Sequence, residues 1–305
     1  MTTLIGLAPG EWGAAALHLG AMLARSAEEP VVVATIVPAP WPPSPYRSDA
    51  EFLHLQEQAG LAVLASARTQ LGRAPAGDYV LRRARSVPAG LLQVAQEHGA
   101  GRLVLGSSAS GGYGRVTLGG VADRLLHTAE APLALAPAGF TAGPGARVRR
   151  VTVAFGRGDG DSELLSRAAS VAARLGASLR VACFAVRPVN VFSGSVSGGA
   201  DSLIAEEWVR GLKGDITRAL ARAASSGSEA DRPGAVTADV PIVVGQGESW
   251  PAALAGVAWE RGDVLAIGTS TSVTSRLFLG SHAVKIVRSS PVPVVLTSRG
   301  QPVDR

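Results

Sequence analysis

The stretch best suited to chemistry is Gly106-Ser107-Ser108-Ala109-Ser110-Gly111-Gly112-Tyr113-Gly114-Arg115-Val116-Thr117-Leu118-Gly119-Gly120. It follows the apolar run Leu103-Val104-Leu105 and precedes apolar residues at Leu118, Val121, Ala122, Leu125 and Leu126. The run reads as a strand, and the later spacing reads as a helix with one face on a sheet. Glycines and small hydroxyl residues at such a junction let backbone N–H groups close around an anion, while the helix contributes the positive end of its dipole. The chemistry is therefore phosphate binding, with Arg115 as an available cation. A tight strand-to-helix turn asks for the same small residues, and an arginine there is commonly just solvated, so both readings stand at this point.

The junction occurs a second time. Val264-Leu265-Ala266-Ile267-Gly268 leads through Thr271 and Arg276 to Leu279, Gly280 and Ser281. Arg115 falls opposite Arg276, Leu118 opposite Leu279, Gly119 opposite Gly280, Ala122 opposite Ala283 and Pro132 opposite Pro293. The match extends upstream, where Ser86-Val87-Pro88-Ala89-Gly90-Leu91 lies over Ser249-Trp250-Pro251-Ala252-Ala253-Leu254. A repeat about half the chain long means a duplicated domain and not a solenoid of short units. The expected domains are 1–140 and 148–305, with a linker near Phe140 to Arg147 where Gly139, Gly143, Pro144 and Gly145 interrupt the pattern.

The elements that must position these junctions alternate. Strands are expected near 2–8, 31–37, 79–85, 102–106 and 132–136, with helices near 11–26, 49–73, 88–99 and 117–129. The second half repeats this with strands near 149–155, 178–186, 236–244, 263–268 and 293–297. Strands separated by helices pair in parallel through right-handed crossovers. The fold class is thus α/β, with two tandem doubly wound open parallel five-stranded sheets covered by helices on both faces. Ligands of such sheets bind beyond the carboxyl ends of the strands, where strand order reverses. Two longer connections, Pro38 to Arg47 and Arg187 to Ala200, overhang these crevices as candidate lids.

A motif G-x2-G-x9-G-[ST] at this junction is where the chain resembles the universal stress protein family, and the resemblance spans both halves. It implies an adenine nucleotide alpha hydrolase-like fold, pairing of the two domains as a pseudo-dimer through the closing strands, and ATP with Mg²⁺ as the ligand. Carried over residue by residue, Gly106 and Gly119 match, while Ala109 stands at the second glycine and Gly120 at the hydroxyl residue. In the second half Gly268, Gly280 and Ser281 match, and Thr271 replaces the glycine. Gly111, Gly112 and Gly114 offer a shifted cradle. The aspartate that contacts the nucleoside in binding members corresponds to Ala8 and Gly156, with Glu11 and Asp159 nearby but out of register. The resemblance implies a stress-response protein that acts by binding, with degenerate ATP sites; the alternative is an adenine-nucleotide-dependent enzyme such as a weak ATPase.

Composition narrows the partners. Of 29 basic residues only Lys213 and Lys285 are lysines, and the arginines are scattered rather than gathered into a nucleic-acid footprint. No apolar stretch reaches the roughly 18 residues of a membrane helix, and Met1 to Leu7 lacks a signal-peptide pattern, so the expected location is cytoplasmic. Neither a nucleic acid nor a membrane is an expected partner. Cys183, the single cysteine, sits in an apolar run and reads as a buried hydrophobe. The five histidines show no metal-ligand spacing, and no G-x-S-x-G turn points to a hydrolase nucleophile. Trp208, Trp250 and Trp259 read as packing residues, and Trp12 and Trp41 flank the first crevice. Further homodimerisation stays open.

Overall fold

The computed structural model describes residues 1–8, 13–39, 47–72, 77–108, 112–129, 131–156, 161–186, 198–225, 240–271 and 277–298. The first half runs β1 (Thr2–Gly6), α1 (Gly13–Ala27), β2 (Val31–Pro38), α2 (Arg47–Leu71), β3 (Gly77–Ala84), α3 (Val87–Glu97), β4 (Ala100–Gly106), α4 (Gly120–Thr128) and β5 (Leu133–Ala136). The second runs β6 (Arg150–Ala154), α5 (Asp161–Arg174), β7 (Ser178–Val186), α6 (Gly198–Ser225), β8 (Ile242–Gly247), α7 (Trp250–Ala255), β9 (Asp263–Thr271), β10 (Leu277–Phe278), α8 (Ser281–Ser289) and β11 (Val294–Ser298).

Strand runs such as Val31-Val32-Val33-Ala34 and Leu103-Val104-Leu105 are apolar at successive positions and buried on both faces, as a helix-covered parallel sheet requires. Helices cover both sides. Ile5, Leu19, Met22, Leu164, Leu165 and Ile216 belong to one core, formed with α1, α2, α5 and α6. Leu4, Val94, Leu125, Leu254, Val287 and Leu296 belong to the other, formed with α3, α4, α7 and α8. Each fully buried aliphatic side chain contributes about 1.5–3 kcal/mol. The α1 helix lies close on the sheet at Gly20, where a Cβ would stand 2.4 Å from Ile5.

The two five-stranded sheets are joined edge to edge through their closing strands into one. Its order is β3-β2-β1-β4-β5-β11-β9-β6-β7-β8, and β10 pairs off this path with β9. Every neighbouring pair within a half on this path is parallel, whereas β5 and β11 pair antiparallel, Leu135 opposite Val294 and Leu133 opposite Leu296. The order reads the same from either end once β6, β7, β8, β9 and β11 are matched to β1 through β5. The physical reason for the merger is that β5 and β11 are each the last strand of an open sheet, with ladder groups that need partners.

Three boundaries differ from expectation. The third strand of the second half is Ile242–Gly247, continuing through two glycines. Glycine is needed there because α7 lies directly on the strand: a Cβ at Gly245 would stand 2.2 Å from Ala253 O. The helix expected from 117 begins at Gly120, because Thr117 is held by the preceding strand's end. The strand expected to end at Gly268 runs on to Thr271, because β11 extends the ladder to Ser298 and β10 returns against Ser270 and Thr271.

The linker is a packed segment. Ser26 Oγ of α1 accepts the Val148 N–H at 2.7 Å and donates to Met22 O at 2.8 Å. Arg25 donates to Ala146 O and Gly143 O, and His18 Nδ1 lies 3.1 Å from Ala142 O.

Candidate functional site

Strand order in the first half reverses between β1 and β4, so a crevice opens at their carboxyl ends. Leu7 and Ala8 follow β1 there, and Gly106, Ser107 and Ser108 close β4. The loop after β4 has a hydrogen-bonded neck. Ser107 Oγ accepts the Thr117 N–H at 2.6 Å, and Ser108 N donates to Thr117 O at 2.9 Å. Gly119 then passes so close that a Cβ would stand 3.1 Å from Ser108 Cβ. Beyond the neck, Gly112 and Gly120 face open space, with nothing within 4 Å of where a Cβ would be. Gly114 has φ +74, a left-handed conformation that favours glycine. Its N–H donates to Ala138 O at 2.8 Å, and Ala138 N donates to Arg115 O at 2.9 Å.

Arg115 does not turn into the crevice. Its Nη1 donates to Ser289 O at 3.1 Å, in the last turn of α8 in the other half, where a cation meets the negative end of the helix. Ala109, Gly111 and Arg276 lie outside the described residues, as do Glu11, Trp12, Trp41 and Asp159 and most of both candidate lids.

In the second half the reversal lies between β6 and β9. Gly268 and Thr269 are buried within the strand, and Thr269 Oγ1 donates to Thr297 O at 3.1 Å. Thr271 ends the strand opposite Leu277. Gly280 and Ser281 are exposed at the start of α8, and a Cβ at Gly280 would meet nothing. Trp250 of α7 lies 5.4 Å from the His282 ring.

The helix starts whose caps are among the described residues separate into two kinds. The α3 and α7 helices are capped by serine, with Ser86 Oγ accepting from Ala89 N and Ser249 Oγ from Ala252 N. The α4 and α8 helices begin on Gly119 and Gly280 with no side-chain cap. Their first N–H groups are therefore left for solvent or an acceptor from outside the helix. Both are the helices that follow β4 and β9, the strands beside the two reversals. Backbone donors and open space therefore occur together at both starts. Ala8 and Gly156, where the resemblance implies an aspartate, are exposed and carry no acceptor side chain.

The opposite rim, at the amino ends of the strands, holds charge clusters that sequence spacing did not single out. Glu29 accepts from Arg102 at 3.2 Å and from Thr3 Oγ1 at 3.0 Å. Asp263 accepts from Arg150 Nε at 3.0 Å, Arg150 Nη2 at 2.7 Å and Glu260 N at 2.9 Å. Arg180 donates to Thr152 Oγ1 and Ala258 O, stacks 5.1 Å from the Trp259 ring and places Nη2 3.6 Å from Asp263. Burial lowers the pKa of both Arg102 and Arg180. Hydrogen bonding to Asp263 raises that of Arg150. The signal was an arginine inside an apolar strand, Leu179-Arg180-Val181.

Among the described residues, no group of three or more His, Cys, Asp or Glu side chains is placed to hold a metal ion, and no helix is long and apolar enough to cross a membrane.

The sequence profile described as the universal stress protein family matches residues 3–137 and 147–298. The universal stress protein Rv2319c of Mycobacterium tuberculosis is 36% identical over 301 residues, covering 97% of this chain and 99% of that protein. Mb2346c of Mycobacterium bovis matches to the same extent. In fold, the chain is similar to a universal stress protein from Archaeoglobus fulgidus at TM-score 0.54 and 17% identity, covering 98% of each chain. It is also similar to the functionally unknown protein PA1789 of Pseudomonas aeruginosa at TM-score 0.55 and 14% identity, covering 97% of this chain and 92% of that one.

Proposed function

Because the chain belongs to the universal stress protein family, with the family domain present in tandem, we propose that it acts in the stress response by binding and not by turnover. The ligand is an adenine nucleotide with Mg²⁺, held chiefly by its phosphates, in the crevice beyond β1 and β4. The observation that carries this reading is the uncapped glycine start of α4 beside Ser108, against the serine caps on α3 and α7. Gly106, Gly112, Gly119 and Gly120 border that place, and Ala109 and Gly111 belong to the same loop by sequence. Gly268, Thr271, Arg276, Gly280 and Ser281 form the weaker second candidate, because the strand continues where a cradle would begin. Missing the nucleoside carboxylate lowers affinity by about 1 kcal/mol or more in each half.

The same reading makes units 1–140 and 148–305 a pseudo-dimer within one chain, supported by the mirrored strand order about β5 and β11. It also makes the protein cytoplasmic.

Calorimetric titration with ATP and Mg²⁺ tests the binding reading. Heat saturating between micromolar and millimolar ligand, and lost in Gly119→Val, is expected. No heat at millimolar ATP would leave an interaction scaffold. Phosphate release that tracks the purified protein and disappears in Ser281→Ala would replace the binding reading with that of an enzyme.

A further inference from the structure

The α2 helix buries Gly60, Leu64 and Ala67 against the sheet, and its opposite flank is apolar as well. Phe52 is 60% exposed and Leu55 62% exposed, and Ala59 and Ala62 are exposed in line with them. At 100° per residue these four fall within an arc of about 80°, and none carries charge. The corresponding helix of the other half is different. Among its described residues α6 exposes Glu207, Arg210, Lys213, Arg218 and Arg222. An apolar stripe on one outer helix, against a charged face on its duplicate, marks an interaction surface rather than scattered exposure.

The stripe is complementary to itself. Its large residues lie toward the amino end and its small ones toward the carboxyl end. When two copies of α2 run antiparallel about a twofold axis passing between Leu55 and Ala59, Phe52 faces Ala62 of the second copy and Leu55 faces Ala59. Large residues then meet small ones at every contact, which lets two helices approach and fill the space between them. Glu57 brings no repulsion to the contact, since it lies on the opposite side of α2 and pairs there with Arg83 of β3. A twofold, isologous contact of this kind closes at two copies.

We propose that the protein forms a homodimer through an antiparallel α2–α2 contact, on the outer flank of the first half and away from the β5–β11 joint. Four side chains per copy make a patch below the 1,200–2,000 Å² of stable complexes, so the dissociation constant is expected at about 10–100 µM.

Sedimentation of the full chain, with concentration raised through that range, tests it. The expected result is a mass rising toward twice the monomer, and a constant monomer mass for Leu55→Glu with an unchanged melting curve. Register is read by cysteine pairing: Phe52→Cys with Ala62→Cys in one chain oxidises to a covalent dimer well ahead of Phe52→Cys alone. A monomer mass throughout, association that survives Leu55→Glu, or equal cross-linking of the single and double variants would each overturn the proposal. None of these readouts involves nucleotide, so they stand apart from the ATP titration.

Discussion

Replacing Asp263 by alanine probes the charge cluster on the amino rim of the second half. The residue is 2% exposed, and its carboxylate accepts three hydrogen bonds while standing 3.6 Å from Arg180 Nη2. Arg150 keeps Glu260 at 3.2 Å and contact with solvent, so its loss is small. Arg180 is different, because its side chain is 6% exposed and Asp263 is the carboxylate within ion-pair distance. Removing one member of such a buried pair costs about 3–5 kcal/mol, mostly from the charge left behind. The first half shows how the cluster can be dispensed with. Thr152 pairs with Arg180 in register where Leu4 pairs with Val32, one strand over from Leu265 and Leu103 respectively. The double variant Thr152→Leu with Arg180→Val rebuilds that apolar pair and is expected within about 1.5 kcal/mol of the parent. In that background Asp263→Ala should cost only about 1–2 kcal/mol, the loss of hydrogen bonds to Arg150 and Glu260 N. Urea unfolding followed by circular dichroism reads all four proteins, with the midpoint reporting stability provided the slope is unchanged. A cost below about 1 kcal/mol for Asp263→Ala, or the same cost in both backgrounds, would refute the claim that it neutralises Arg180.

Two further outcomes follow from the packing. Ser26→Ala removes the acceptor of the buried Val148 N–H and should lower stability by about 1–3 kcal/mol, with hydrogen exchange accelerating at Val148 ahead of β6. An unchanged exchange rate there would mean the linker is held by its other contacts. Gly20→Ala gains about 1 kcal/mol of helix preference yet should lower the melting temperature, because its Cβ would press on Ile5 at the sheet centre, and adding Ile5→Val should restore part of the loss.

Most of the architecture was legible because a strand buried on both faces must be apolar at consecutive positions, as in Val31 to Val37, and the helices between carry one apolar side each. The two-residue β10 was not, since Leu277-Phe278 is too short to show a period, and the extension of β9 through Thr269 depends on a partner strand distant in sequence. At the junction after β4, the small residues pointed to a loop that lets backbone close in, and Gly119 does lie against Ser108. That Thr117 ties the loop shut, and that Arg115 reaches α8, could not be read there. The first depends on a hydrogen bond across ten residues and the second on how two halves meet. The order within the linker was hidden for a similar reason. Its glycines and proline resemble a tether, while what orders it is α1, more than a hundred residues earlier.

The antiparallel meeting of β5 with β11 turns one half upside down relative to the other, so the two crevices open on opposite long edges of a single slab. Four strand intervals separate the two reversal points, about 19 Å across the sheet, before the offset between its edges is added. A ligand in one crevice cannot bridge to the other, and a compact partner that reads one is blind to its twin. Any communication between the two must pass through the shared strands, where a shift on one side is met by a ladder running the contrary way.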